Sequence, residues 1–209
     1  MTDNKVIITI ARQFGAGGQR VGKALSDMLG IPLYDKELII RASKESGYSE
    51  ELFHQLDEQN THSFLYSLAM GSYFLGNHVT GAVELPLNEK LFIIQADVIK
   101  KIATEGSCVI VGRCADYILR DDFNLTSVFL HGNMEDRIEY IKQEYDLTED
   151  KARERINKVD RQRAGYYNYF AHDQWLDMLH YDLTINTSSV GIQKSAELIR
   201  EFALLKSEK

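Results

Sequence analysis

The chain has almost no cysteine: Cys108 and Cys114 are the only two in 209 residues. Both stand in apolar stretches, so a disulfide framework is excluded and a reducing, cytoplasmic setting is the expectation. No His/Cys pair stands near enough to complete a zinc site with them. Proline is as scarce, with Pro32 and Pro86 alone, and no repeat, low-complexity tract or linker marks a second domain. Long apolar runs are missing too, since no window approaches the roughly 18 residues that a membrane-spanning helix needs. Met1–Lys5 is polar and Val6–Ile10 is short for a signal core, so no secretory leader is expected. Basic charge is in deficit: 24 Lys and Arg against 31 Asp and Glu leave a net −7. That balance argues against a nucleic-acid polymer or an anionic membrane as partner. It leaves a small anionic ligand open, because a few local arginines decide that.

Strand-like and helical runs alternate. Lys5–Ile10 is a largely apolar, β-branched run, as a buried strand is. A glycine turn follows at 15–18, and Val21, Ala24, Leu25, Met28 and Leu29 then recur at helical spacing up to Gly30. Ile31–Asp35 is extended. Residues 36–60 read as helical with a break near Gly47, where Ser49 can cap a second helix, and 61–85 read as irregular. Leu87–Thr104 is helical, Ser107–Val111 and Leu125–His131 are strands, and Met134–Tyr145 is a helix. A charged helix is expected from Thr148 to Gly165, a strand at Tyr181–Asn186, and a C-terminal helix from Ile192. The order predicts an α/β fold in three αβα layers around a mainly parallel, five-stranded sheet. Ligands in such sheets bind at the carboxyl ends of the strands, here residues 11–18, Asp35, Gly112-Arg113 and Gly132.

Three segments carry candidate chemistry. In Arg12-Gln-Phe-Gly-Ala-Gly-Gly-Gln-Arg20 a glycine loop joins strand to helix, so its backbone N–H groups can face an anion at the helix start. The plain alternative is a tight turn. Arg113 directly follows a buried strand, where a guanidinium can fork onto a phosphate, or simply lie solvated. Arg161 and Arg163 lie too close to share a helix face, so only a helix end or loop could aim both inward. Tyr166, Tyr167, Tyr169 and Phe170 beside them can stack a base or pack a core. His172 and the other histidines show no ligand spacing.

Taken in order, several blocks resemble the cytidylate kinase-like family. They are Arg12-Gln-Phe-Gly-Ala-Gly-Gly18, Gly30-Ile-Pro-Leu-Tyr-Asp-Lys-Glu-Leu38, Val111-Gly-Arg-Cys-Ala-Asp116, Asp136-Arg137, Asp160-Arg-Gln-Arg-Ala-Gly-Tyr-Tyr167 and Tyr181-Asp-Leu-Thr-Ile-Asn-Thr-Ser188. The resemblance spans the chain except about residues 50–90. It implies a P-loop kinase-like single domain with a core of 1–35, 105–147 and 176–209, a monophosphate-binding insertion at 36–104 and a lid at 148–175. Both outer parts would move against the core to exclude water. The implied partners are small nucleotides, with ATP and Mg2+ as cofactors. Gly15, Ala16, Gly17, Gly18, Gln19 and Arg20 would cradle the ATP phosphates, and Arg137 would face them. Asp35, Arg41 and Arg113 would serve the acceptor, with Arg161 and Arg163 closing over the transferring group. A nucleoside-monophosphate kinase for CMP or a related acceptor follows, with a non-catalytic binder or a kinase for another small substrate as alternatives.

The chain departs from the P-loop signature, glycine, four residues, then Gly-Lys-Ser/Thr. Arg12 stands at the first glycine, Gly18 at the lysine and Arg20 near the hydroxyl position. Lys23 falls a turn too late. Cys114 replaces the family's aspartate after Arg113, and Tyr140 and Ile141 stand where a further arginine is expected. Arg12 is therefore the expected surrogate for the lysine and the third catalytic arginine. Arg20 is the rival, discounted because a first-turn side chain can point away from the loop. The alternative for Arg12 is a brace on Asp35.

Overall fold

The computed structural model describes residues 5–35, 37–49, 85–121 and 123–207. The expected second helix after Ser49 and all but the last residue of the irregular stretch at 61–85 lie outside the described residues. Five strands form one sheet: β1 (Ile7–Arg12), β2 (Leu33–Tyr34), β3 (Cys108–Val111), β4 (Leu125–His131) and β5 (Leu183–Asn186). Their order across the sheet is β2-β3-β1-β4-β5, and every pairing is parallel. The expected α/β architecture is therefore what the chain adopts.

Strand alternation builds two cores. On one face Ile7, Ala11, Ile110, Leu125 and Phe129 pack on helices α3 (Leu87–Glu105) and α4 (Ala115–Leu119). On the other, Ile8, Ile10, Val109, Val128 and Leu130 meet Val21, Leu25, Ala196 and Ile199. Those last four belong to α1 (Gly18–Leu29) and to the C-terminal helix, Ile192–Ser207. A strand buried on both faces has no polar side to show, which is why β3 reads as an unbroken apolar run and β1 as one broken only by the buried Thr9 before Arg12. Gly22 lets α1 lie close on the sheet, since a Cβ there would come within 3.0 Å of Leu33 and Val111 side chains. Gly30 ends the helix in the left-handed conformation, as its position suggests.

Further helices are α2 (Glu37–Ser46), α5 (Met134–Tyr145) and α6 (Glu149–Ala171). Helix α6 begins after Thr148 with Glu149 and Asp150 in its first turn, complementing the helix dipole. It does not stop at Gly165, because its last six residues carry Tyr166, Tyr167, Phe170 and Ala171 into the core. Phe170 stacks on Phe92 with ring centroids 4.1 Å apart, and Gln95 Nε2 donates to the Tyr166 hydroxyl at 2.9 Å. The aromatic cluster is thus part of the packing. Burial outweighs the propensity cost of a glycine, about 1 kcal/mol.

Asp116 ties the end of α6 to α4. Its carboxylate is buried and accepts from the Tyr167 hydroxyl at 2.7 Å. Burial pushes its pKa up from 3.8, opposed by the Tyr167 and backbone hydrogen bonds. The folded chain thus holds this proton more tightly than the unfolded one. Asp116 therefore contributes its full stability below the ordinary carboxylate range and loses it as pH rises toward the folded pKa. Asp116→Asn keeps an acceptor for Tyr167 without the charge. Melting temperatures from about pH 4 to pH 7 should show the wild type falling against this variant. Parallel curves would mean that Asp116 stays ionised in both states.

Candidate functional site

The glycine loop sits where β1 delivers it, at the carboxyl edge of the sheet. Gly15 and Gly17 take positive φ, 82° and 77°, which glycine reaches without steric cost. Gly17 precedes α1, whose first turn has no side-chain cap and no acidic residue. The positive end of that helix thus faces the loop.

A buried ion pair holds the loop from behind. Arg137 of α5 donates from Nε to the Phe14 carbonyl at 2.7 Å and pairs through Nη2 with Asp160 of α6. The other oxygen of Asp160 accepts the Phe14 N–H at 2.7 Å. Thr187 Oγ1 donates to the Ala16 carbonyl at 3.0 Å, and Gln13 N donates to Leu130 O at 2.9 Å. Four separate segments therefore fix one six-residue turn.

In front of the loop lies a cleft of about 720 Å³, bounded opposite by α5 and α6. Its lining brings together Arg12, Arg20, Arg113, Arg155, Lys158 and Arg163, against only Asp35 and Glu144 as acids. The chain as a whole is at −7, so the cleft inverts the overall charge. Low-dielectric walls focus such a field on an anion.

Arg12 has the most constrained place. Its stem lies across Gly18, where a Cβ would come 2.6 Å from Arg12 Cγ, and its guanidinium fills the space beside Gly112 that a side chain would need. Nη2 is 3.9 Å from Asp35 Oδ1, so the expected brace exists as a loose ion pair. Arg163 Nη1 donates to the Arg12 carbonyl at 3.0 Å, joining α6 to the strand end. Arg113 is buried with φ 64°, and Cys114 follows at 53°. Two successive non-glycine residues in the left-handed region store strain of the kind found at functional sites. Burial also pushes the thiol of Cys108, in β3, up to about 12, far from a reactive thiolate.

Other expected residues are placed differently. Arg20 does not point away: its guanidinium folds back beside Gly17 and rests over the Tyr140 ring at 4.5 Å. Gln19 lines the cleft, and the Ala16 side chain is buried. Arg137 is the brace behind the loop and does not line the cleft. Arg41 pairs with Glu105 at 2.6 Å and with Glu45 at 3.4 Å, away from the cleft lining. Arg161 and Arg163 sit within the continuous helix α6, where two positions make about 200° of rotation. Arg163 consequently turns inward, while the exposed Arg161 donates to Asn157 O at 3.1 Å.

Arg155, Lys158 and Gln162 were not singled out by the sequence. Their spacing of three and four is the helical repeat, but a charged stripe on a helix is usually solvated. The signal that this stripe faces a cleft lies in Tyr145, under Arg155 at 4.0 Å, which no local pattern reveals. Among the described residues no group of three or more His, Cys, Asp or Glu side chains is arranged to hold a metal. No described helix is long and apolar enough to cross a membrane.

The sequence profile of the cytidylate kinase-like family matches residues 7–189. No curated protein sequence matches the chain. Among solved structures, an uncharacterized protein from Eubacterium ventriosum is 27% identical over 95% of this chain and 98% of its own, with a TM-score of 0.69. Shikimate kinase from Bacteroides thetaiotaomicron is 15% identical over 94% and 97%, at a TM-score of 0.53. Shikimate kinase from Acinetobacter baumannii, in complex with shikimate, is 13% identical over 98% and 96%, at 0.52. At such identities the two shikimate kinases share the fold.

The contact between Arg12 and Gly18 can be measured. Gly18→Ala should destabilise the chain by about 1–2 kcal/mol through overpacking against the Arg12 stem. In an Arg12→Ala background that loss should largely vanish, giving a coupling of similar size in a double-mutant cycle by chemical denaturation. Additive losses would place the Arg12 stem elsewhere.

Proposed function

The chain belongs to the cytidylate kinase-like family, and on that premise we propose that it transfers a phosphoryl group from ATP to a nucleoside monophosphate, CMP or a close relative being favoured. The observation that carries this reading is the cleft itself, with six basic side chains gathered against two acidic ones at a glycine loop in an acidic chain. In the transfer an acceptor phosphate oxygen attacks the γ-phosphorus, the bond to the β–γ bridging oxygen breaks, and ADP leaves with that electron pair. Such a reaction asks for positioning and positive charge more than for covalent chemistry.

Residues Gly15–Gly18 cradle the donor phosphates, with Gln19 and Arg20 at the start of α1. Arg12 takes the place of the lysine, because its side chain crosses over Gly18, where that lysine would begin. Arg163, Lys158 and Arg155 approach from α6 and cover the transferring group, in the role expected of a lid at 148–175. Arg161 reaches this group only if α6 rotates. Asp35 and Arg113 serve the acceptor side, and Arg41 joins them once it leaves Glu105, through movement of the insertion at 36–104. Arg137 and Asp160 are positioning residues that act through the loop.

Kinases with a P-loop hold Mg2+ through the hydroxyl of the loop Ser/Thr and a nearby acid. The hydroxyl position is Gln19 here, and Asp35 is already paired with Arg12. The loop thus lacks the Ser/Thr hydroxyl, and no step is assigned to the ion.

Absence of the lysine favours one second reading, a non-catalytic nucleotide binder. A coupled ADP-release assay across a panel of monophosphates separates the two. Turnover with at least one acceptor is expected, and ATP binding without turnover on any would select the binder. Arg12→Ala should keep its melting temperature and lose roughly 2–4 kcal/mol of transition-state stabilisation. Arg20→Ala, exposed at the cleft mouth, should lose less. Equal losses would mean that Arg12 is not the surrogate.

A further inference from the structure

Phosphates are only part of a nucleotide, and the glycine loop with its cations serves them alone. A base asks for a flat surface of its own size, either an aromatic ring or a guanidinium plane. The cleft holds such a surface next to the loop. Arg20, in the first turn of α1, folds back so that Nη2 lies 3.3 Å and Nε 3.6 Å from the place a Cβ on Gly17 would occupy. Its guanidinium rests over the Tyr140 ring of α5 at 4.5 Å. Both residues line the cleft.

This contact differs from the other arginine–ring contacts there. Arg155 is engaged by two rings, Tyr145 at 4.0 Å and Phe14 at 6.0 Å. Arg163 stands 5.5 Å from the Phe14 ring and donates to the Arg12 carbonyl. Arg20 meets a single ring, and among the described residues it forms no ion pair. It is exposed, so the face turned away from Tyr140 opens on the cleft. Tyr140 is half-buried and packs on the apolar cluster of Ile138 and Ile141, which holds the ring still beneath the guanidinium. The N–H groups of a guanidinium lie in its plane. Its faces can therefore carry rings while its edge stays turned toward the phosphates. A surface cation–π contact merely holds a side chain in place, but this one stands beside an anion-binding loop in a cleft of nucleotide size.

We propose that Tyr140 and Arg20 form the seat of the nucleobase. The base stacks on the open face of the Arg20 guanidinium, Tyr140 backs that guanidinium from the other side, and the phosphates run from there into the glycine loop. The inference rests on the nucleotide-dependent reading above and adds the place of the base.

Calorimetric titration of the full chain with ATP and with inorganic tripolyphosphate, at equal MgCl2, separates the base from the phosphates. Arg20→Lys keeps the charge and removes the plane. It should weaken ATP about tenfold and leave tripolyphosphate within about threefold of the wild type. Tyr140→Ala should show the same pattern, and Tyr140→Phe, which keeps the ring, should match the wild type. Arg20 is exposed, and circular dichroism checks that each variant is folded. An Arg20→Lys variant that binds ATP as tightly as the wild type overturns the inference. So does an equal loss of both ligands in the two folded variants Arg20→Lys and Tyr140→Ala, which would make the pair a support of the loop. Either result leaves the kinase reading standing. No binding of ATP by the folded wild type removes both.

Discussion

The Arg137–Asp160 pair is the interaction on which the site depends. Arg137 is 4% exposed and Asp160 19%, so the pair is largely withdrawn from water. Breaking one side of such a pair leaves an uncompensated buried charge, at about 3–5 kcal/mol. Here the pair holds more than itself, because both partners also bond the backbone of Phe14. The glycine loop, α5 and α6 are thereby joined at one point. Ile138 and Ile141 packing on Ala152 and Ile156 extend that joint as a small apolar cluster. The loop can consist largely of glycine and still hold one shape because the constraint comes from outside it.

The same joint sets the electrostatics of the cleft. With α6 held against the loop, the helical repeat brings Arg155, Lys158 and Arg163 to face Arg12, Arg20 and Arg113. Like charges held this close repel one another, and an anionic ligand relieves that repulsion. The far end of α6 is anchored separately, by Tyr166 to Gln95 and Tyr167 to Asp116. Helix α6 is therefore held at two places, at Asp160 and at its aromatic end. A lid that moved as one body would have to break two buried hydrogen bonds and a stacked aromatic pair.

Arg12, Gly18 and Gly112 show how a changed motif stays physically consistent. A lysine stem at position 18 and the Arg12 stem would occupy one space. The loss of the lysine and the gain of the arginine are thus two sides of one packing solution. A pattern search for the P-loop sees only a failed match, whereas the geometry shows the Arg12 side chain lying where a side chain at position 18 would stand.

What the sequence by itself determined is the layered fold and the loop's place in it. Continuous β-branched runs such as Lys5–Ile10 and helical repeats such as Val21–Leu29 are local signals, and parallel connection leaves few ways to assemble them. Gly15–Gly18 and Arg113 could be set at the sheet's carboxyl edge for the same reason. Tertiary structure decided which arginines meet. Arg137 and Asp160 are 23 positions apart, and their pairing turns a residue expected to face phosphate into a brace. Helix α6 passes Gly165 because its aromatic end finds a core, and that continuation separates Arg161 from Arg163. Arg20 turns back onto the loop because Tyr140, on another helix, offers it a surface. Periodicity specifies faces, but the direction of a long charged side chain is settled by whatever stands opposite, and that partner is distant in the chain.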